Sequence, residues 1–503
     1  MKAQLHRGFP WIFALLVLVQ VVVLLTSRLY PFTDLPNHLA AATIVRHLGD
    51  GANDFADTFT VKVFPKPNVM HLLFCGLPIF PTVEAASRVY FALYALLLPL
   101  GMWFLTRRLG GNPWISLLSL LLLYNHGVTW GFVGYTMAIP LTVWFLYFYM
   151  GMREGSSRDT SLTALMLAAV FLAHAQIALF CCMLLVALQL FRSSPLAPRA
   201  VRTALALLPA AVLIGCWLGF EESADPTRLE DLTRYYRERF AAEFSDRAQL
   251  FYNDNNPLFP GSLGRQVGVA CFAAMVIPLL IGLVRLAKVR RDPRRRQALP
   301  VLWIVLAASL GCYLLLPSAL PGQWNIYQRM GVFALLASVL LGSGLVPQRL
   351  PRAAMIAVCA ICLTHGALWA QCFHEFQNRN KGFDAEFFPA EMQGQKLAGL
   401  MYTMRYQGRP VFIHYPSYYI VWKHGLATSK LFDYRFSSVH RKVDARSLPP
   451  YDEWIGRVGR YDGRFNAMPF LLVRGNMPPA DRPRLGAFEE VHSRGPWHLY
   501  RHR

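Results

Sequence analysis

The chain has 503 residues, of which 54% are hydrophobic and 16% charged, with a formal net charge of +21. A soluble domain carries about a quarter charged residues, so this composition excludes an ordinary soluble globule and implies a polytopic α-helical membrane protein. Nucleic acid is not the implied partner of the positive charge, which lies in short loops between apolar runs and along the C-terminal tail with no recognisable binding motif; basic flanks facing anionic membrane lipids account for it.

Lys2 and Arg7 precede an apolar run over residues 9–26 that ends without a small-residue cleavage site. It reads as an uncleaved first span with the N-terminus in the cytoplasm. An outer loop, 27–84, follows, and a second span near 85–106 returns to Arg107 and Arg108. The apolar stretch 113–150 is too long for one span and predicts a hairpin turning near Asn125-His126-Gly127. Residues 162–190 are long for one helix and short for two. Parity decides: the basic run 288–296 is the strongest cytoplasmic signal, and reaching it from Arg107 and Arg108 takes an even number of crossings. Two short helices meeting near His174 satisfy that count.

Spans near 204–220, 267–287, 299–316, 331–346 and 353–371 complete the set, for about eleven transmembrane helices. The expected domains are a transmembrane domain over 1–372, with outer loops 27–84, 221–265 and 317–329, and an extracytoplasmic C-terminal domain over 373–503. Within the latter, 411–414 and 470–473 read as short buried strands, which implies a small α/β domain. The Asn253–Asn256 run in the second outer loop reads as a turn. The nine cysteines fall mostly inside apolar runs, as packing residues do, and form no disulfide or zinc framework.

This topology gathers unusual polar residues on one face. Asp34 and His38 open the first outer loop, His126 and His174 lie at hairpin turns, and Lys66, Arg88, Arg265 and Arg329 sit near outer span ends. Such a group offers an acid or base, imidazoles, and cations suited to a phosphate. Each residue also has a plainer role. Asp34 precedes Leu35-Pro36 and fits a helix cap; His38, one turn on, could simply bond that carboxylate. His126 and His174 suit polar turns, and Arg329 suits interfacial snorkelling. No contiguous metal-ligand motif is present, so no metal site is assigned.

The residues Thr33-Asp34-Leu35-Pro36-Asn37-His38, then Pro65-Lys66-Pro67-Asn68 with His71, then Val83-Glu84-Ala-Ala-Ser-Arg88 leading to Thr106-Arg107-Arg108, carry a resemblance. With the many spans and a closing Gly495-Pro496-Trp497-His498 in an outer domain, the chain resembles the polytopic GT-C glycosyltransferases, which use polyprenyl-phosphate-linked sugars at the outer face of the membrane. The resemblance implies a membrane glycosyltransferase in the cytoplasmic (inner) membrane. A sugar passes from a polyprenyl-phosphate donor to a glycan, lipid or protein acceptor, with Asp34 as general base oriented by His38. Lys66, Arg88 or Arg329 would bind the phosphate, with His126 and His174 in support. Family members often pair two acids in this loop, where this chain has Asp34 and then His38; Asp50, Asp54 and Asp57 are the other carboxylates there, and a divalent metal is left open. An O-antigen polymerase or ligase, a transporter, and a non-catalytic protein of envelope glycan assembly are the alternatives. The first places its large outer loop later among the spans, and the second usually shows repeated halves and mid-membrane charges.

Overall fold

A computed structural model of the protein describes residues 2–192, 195–220, 227–255, 262–286, 293–320, 323–429, 431–434, 437–442, 459–461 and 463–503. Among them, eight helices are long and apolar enough to cross a membrane: Gly8–Thr26, Val83–Arg108, Val133–Arg153, Leu196–Gly219, Gly264–Leu283, Arg295–Leu315, Gln328–Leu345 and Arg352–Arg379. The chain is therefore a multi-pass membrane protein. The eight coincide with eight expected spans, and the remaining three expected segments are shorter or irregular. The pair over 162–190 is found as Ser157–Ala173 and Ala175–Leu190, broken at His174, whose φ of −161° and ψ of 115° are extended. The limb after Asn112 is not a regular α-helix: one α turn, Pro113–Ser116, passes into a 3-10 helix, Leu117–Leu122, buried throughout. A 3-10 helix rises about 2.0 Å per residue, so this buried limb gains length that its few residues would lack as an α-helix.

Local chemistry sets the helix limits. Thr82 caps Val83–Arg108 by accepting from the Ala85 N–H, with Glu84 in the first turn and Arg107 and Arg108 in the last, charges that complement the helix dipole. Arg108 bonds Asp159 (3.1 Å) and Glu154 (3.2 Å). Arg295 donates to the Gly110 (3.0 Å) and Gly344 (3.1 Å) carbonyls, and Arg153 to Gln297 O (2.9 Å). These contacts bring Arg108, Arg153 and the end of the 288–296 run together at one end of the bundle, as an even number of crossings requires; residues 287–292 lie outside the described set. At the centre, 89% of the apolar stretch of Gln328–Leu345 is buried, against 11% for Leu196–Gly219 on the periphery. A helix apolar on all sides can take either place only when its surroundings are protein or lipid.

Two short strands before Gln328–Leu345, β2 (Ala319–Leu320) and β3 (Gln323–Trp324), pair antiparallel, and the opposite end of the bundle carries a small sheet domain. Its five strands run in the order β5 (Leu426–Ala427), β4 (Lys396–Met401), β7 (Phe470–Arg474), β9 (Trp497–His502), β8 (Phe488–Arg494), parallel across β5-β4-β7 and antiparallel beyond. Strand β7 fulfils the expectation for 470–473. Residues 411–414 do not form a strand: Val411–His414 is a turn leading into the 3-10 helix Tyr415–Ser417. A short apolar run signals burial, not pairing, and these residues are buried by ring packing, with Phe412 stacked 5.6 Å from Phe376. The helix Arg352–Arg379 continues past residue 372 into the C-terminal part without a break. In the 221–265 loop, Thr227–Glu238 and Phe240–Asn255 are helices. Asn253–Asn255 therefore ends a helix instead of making a turn, and Asn256 lies outside the described residues.

The sheet domain is laced to the first loop. Strand β1 (Phe59–Val61) pairs antiparallel with β6 (Val439–Arg441), in register Phe59↔Arg441. Buried Asn37 accepts from Ser417 (2.5 Å) and Ser429 (3.2 Å). Arg28 pairs with Asp384 at 3.3 Å and Glu84 accepts from the Trp422 indole at 2.6 Å.

Candidate functional site

Asp34 stands at the N-terminus of the helix Leu35–Arg46, with Pro36 in its first turn, but its side chain makes no capping hydrogen bond. Pro36 has no N–H to be capped, and the carboxylate turns to the sheet domain instead, where His414 Nε2 lies 3.3 Å from Oδ1. The side chains are 27% and 15% exposed, so the pair is partly sheltered and still reachable. The backbone beneath it is fixed by the tip of the 113–150 hairpin: Asp34 N–H donates to Trp130 O (2.9 Å) and Thr33 N–H to Thr129 O (3.4 Å). Gly131, at φ +80°, permits this approach, since a Cβ there would lie 2.8 Å from both Asp34 N and Leu35 N.

His38 follows on the same helix, its ring edge-on to that of buried His71 at 6.1 Å. Burial pushes the His38 imidazole below its ordinary value; His414 adds to the fall, and Asp34 opposes it. The imidazole at ion-pair distance from the Asp34 carboxylate is thus His414, not His38. His71 hydrogen-bonds Ser87 (3.1 Å), and Arg88 beside Ser87 lies half-buried, its charge felt at Tyr30. Lys66 Nζ donates to Ser437 O (2.8 Å) and lies 3.1 Å from His440 Nε2, which places it at the β1–β6 seam. Asp50 is bonded to His47 at 2.6 Å.

Arg329 joins the remaining predicted residues. Its Nη1 donates to His174 Nε2 (3.2 Å) and Gln176 Oε1 (3.3 Å), its Nη2 to Trp324 O (3.0 Å), and its guanidinium covers the Phe132 ring at 4.6 Å. Since arginine only donates, His174 accepts through Nε2 and carries its proton on Nδ1. That buried Nδ1 has no partner among the described residues, nor does Arg329 Nε. Arginine stays charged at neutral pH, so Arg329 brings a cation to this end of the bundle. His126, at the hairpin tip, is pushed down to about 4, first by burial and then by the charges of Arg329 and Arg409, against a hydrogen bond to Asn325 that favours the protonated ring. Asp34, His126, His174 and Arg329 therefore share one end of the bundle, while Lys66 holds the domain seam. Arg265 has no described contact with them.

The His126 proton is a handle on stability. A group whose folded value lies near 4 and whose unfolded value is 6.5 stabilises the fold above the unfolded value, and that contribution is lost as pH falls towards the folded one. His126→Gln is expected to flatten the drop in melting temperature between pH 7 and pH 5, read on detergent-purified protein. An unchanged slope would mean that His126 is not held neutral.

Two residues escaped sequence reasoning. His414 sits in the run misread as a strand, and Arg409 lies in a tight turn. Gln407 and Gly408 have φ of +47° and +78°, and Tyr406 and Arg409 exchange backbone hydrogen bonds (2.8 and 3.0 Å). Positive φ at both central positions marks a primed hairpin turn, a local signal that Gln-Gly carried weakly. Among the described residues, no group of three or more His, Cys, Asp or Glu side chains is placed to hold a metal ion.

No protein-family model matches the sequence, and no curated protein sequence matches it. Among solved structures, the chain is similar to the arabinofuranosyltransferase AftD from mycobacteria, with a TM-score of 0.47 and 14% identity over 97% of this chain and 39% of that one. The chain thus spans well under half the length of that protein.

Proposed function

We propose that the protein is a glycosyltransferase of the cytoplasmic membrane that moves a sugar from a polyprenyl-phosphate donor to an acceptor hydroxyl at the outer face. The N-terminus would be cytoplasmic and the sheet domain extracytoplasmic, with the eight long helices and the three shorter segments as about eleven crossings. The observation that supports this most is the uncapped Asp34 carboxylate, paired with His414 and set at the same bundle end as Arg329. A carboxylate that does not serve its own helix is available as a general base.

In this reading Asp34 takes the acceptor proton as the acceptor oxygen attacks the anomeric carbon. The carbon–oxygen bond to phosphate breaks, and its electron pair leaves with polyprenyl phosphate. His414 positions the carboxylate, and His38, kept neutral by burial, lines the same helix face one turn on. Arg329 meets the growing negative charge where water is scarce and an ionic contact is strong. Arg88 is a second candidate cation.

The test is release of free polyprenyl phosphate, read by mass spectrometry, when purified protein meets a panel of polyprenyl-phosphate sugars and acceptors. Turnover names the sugar. Folded protein that releases none with any donor would shift the assignment to a polymerase, transport or scaffold role.

A further inference from the structure

The most unusual group outside the residues already assigned is Arg409. Its Nη1 and Nη2 are both buried without a hydrogen-bond partner among the described residues. The turn at 406–409 sets its guanidinium over the face of Trp369, 5.2 Å from the ring centre, and Trp369 stacks on Tyr124 at 4.4 Å. An aromatic face stabilises a cation but accepts none of its fork of N–H bonds in the guanidinium plane. Buried guanidinium donors are normally paired, because removing them from water without an acceptor is costly. The orphan donors of Arg329 Nε and His174 Nδ1 lie at the same bundle end. Tyr124 stands two residues before His126, whose ring leads through Trp130 (5.9 Å) and Phe132 (6.2 Å) to the face that Arg329 covers, so the two guanidinium groups flank one hairpin tip.

We infer that Arg409 and Arg329 form a two-cation receptor for a phosphate monoester, so that the sheet domain completes the site. This rests on the proposed glycosyl transfer and sharpens it. The donor is a phosphodiester with one negative charge. When the bond to the anomeric carbon breaks, its electron pair passes to the phosphate oxygen, and the product monoester approaches two charges at neutral pH. A pair of cations matches the product, and the charge growing towards it, better than the donor. Two planar forks also suit a phosphate's several oxygens better than point charges would.

Farnesyl phosphate is the probe, titrated into the full-length protein in detergent and read by calorimetry, with farnesol and inorganic phosphate as separate arms. Wild type should bind farnesyl phosphate well above farnesol. Arg409→Gln should weaken the phosphate ester at least tenfold and leave farnesol unchanged, and Arg409→Lys should fall between. Equal affinity of wild type and Arg409→Gln for farnesyl phosphate would overturn the receptor, as would no preference over farnesol. Inorganic phosphate bound as tightly as the ester would overturn the lipid-borne source. If Arg409→Gln does not fold, the Arg409→Lys arm carries the comparison. Asp34→Asn should bind farnesyl phosphate as wild type does, so a failed general base and a failed receptor give different results.

Discussion

Asp34→Asn is expected to lower polyprenyl phosphate release by about 10²–10⁴-fold, the range a positioned general base contributes, while leaving the protein folded. The two expectations must be read together, because they separate chemistry from helix capping. Were Asp34 a cap, Asn would serve nearly as well, and turnover would hold. The structure gives the carboxylate no capping bond and sets it 3.3 Å from His414. Asn keeps the size of the side chain and removes its basicity. The Asp34–His414 contact is partly exposed, so weakening it costs about 0–1 kcal/mol. The check is turnover and melting temperature on the same preparation. Wild-type turnover by Asp34→Asn would remove this residue from the reaction.

Gly131→Ala is expected to cost about 1–3 kcal/mol of stability, as strain at a special backbone position does, and to reduce turnover with it. Two effects coincide. At φ +80° an added Cβ is strained in any surroundings, and here it would also meet Asp34 N and Leu35 N at 2.8 Å. Those atoms are backbone, so no side chain can swing aside. Relief requires the hairpin tip to leave the first-loop helix, breaking the Asp34 N–H bond to Trp130 O. Displacing a catalytic group by about 1 Å can cost about 10²-fold in rate. A melting temperature and a turnover equal to wild type would show that the tip does not support Asp34.

How far the sequence discloses this arrangement depends on the range of each interaction. The break at His174 was legible because apolar length and charge parity leave no other solution, and the apolar length of the spans likewise fixed eight long helices in place. Asp34 was legible because Asp before Leu-Pro is a local signal, though the same signal suggested a cap that the structure does not form. Arg329, His174 and His126 were expected on one face, and their contacts bring them together. His414 and Arg409 were not legible. Nothing in their local pattern records that the tail folds back over the first loop, and pairing at such separation is decided by packing alone. Lys66 shows the converse: its charge suggested a ligand, but the β6 strand that receives it is invisible from residue 66.

The seam between first loop and tail also bears on biogenesis. Lys66 bonds a carbonyl 371 positions further along the chain, and β1 must wait for β6 to be made. At a synthesis rate of about 5–20 residues per second, that interval lasts roughly 20–70 s. Throughout it the early loop would stand with an unpaired strand edge and with Asp34 lacking its histidine. The nascent protein would be inserted in the bilayer long before its site exists, which makes the loop a natural client for a chaperone on that side of the membrane.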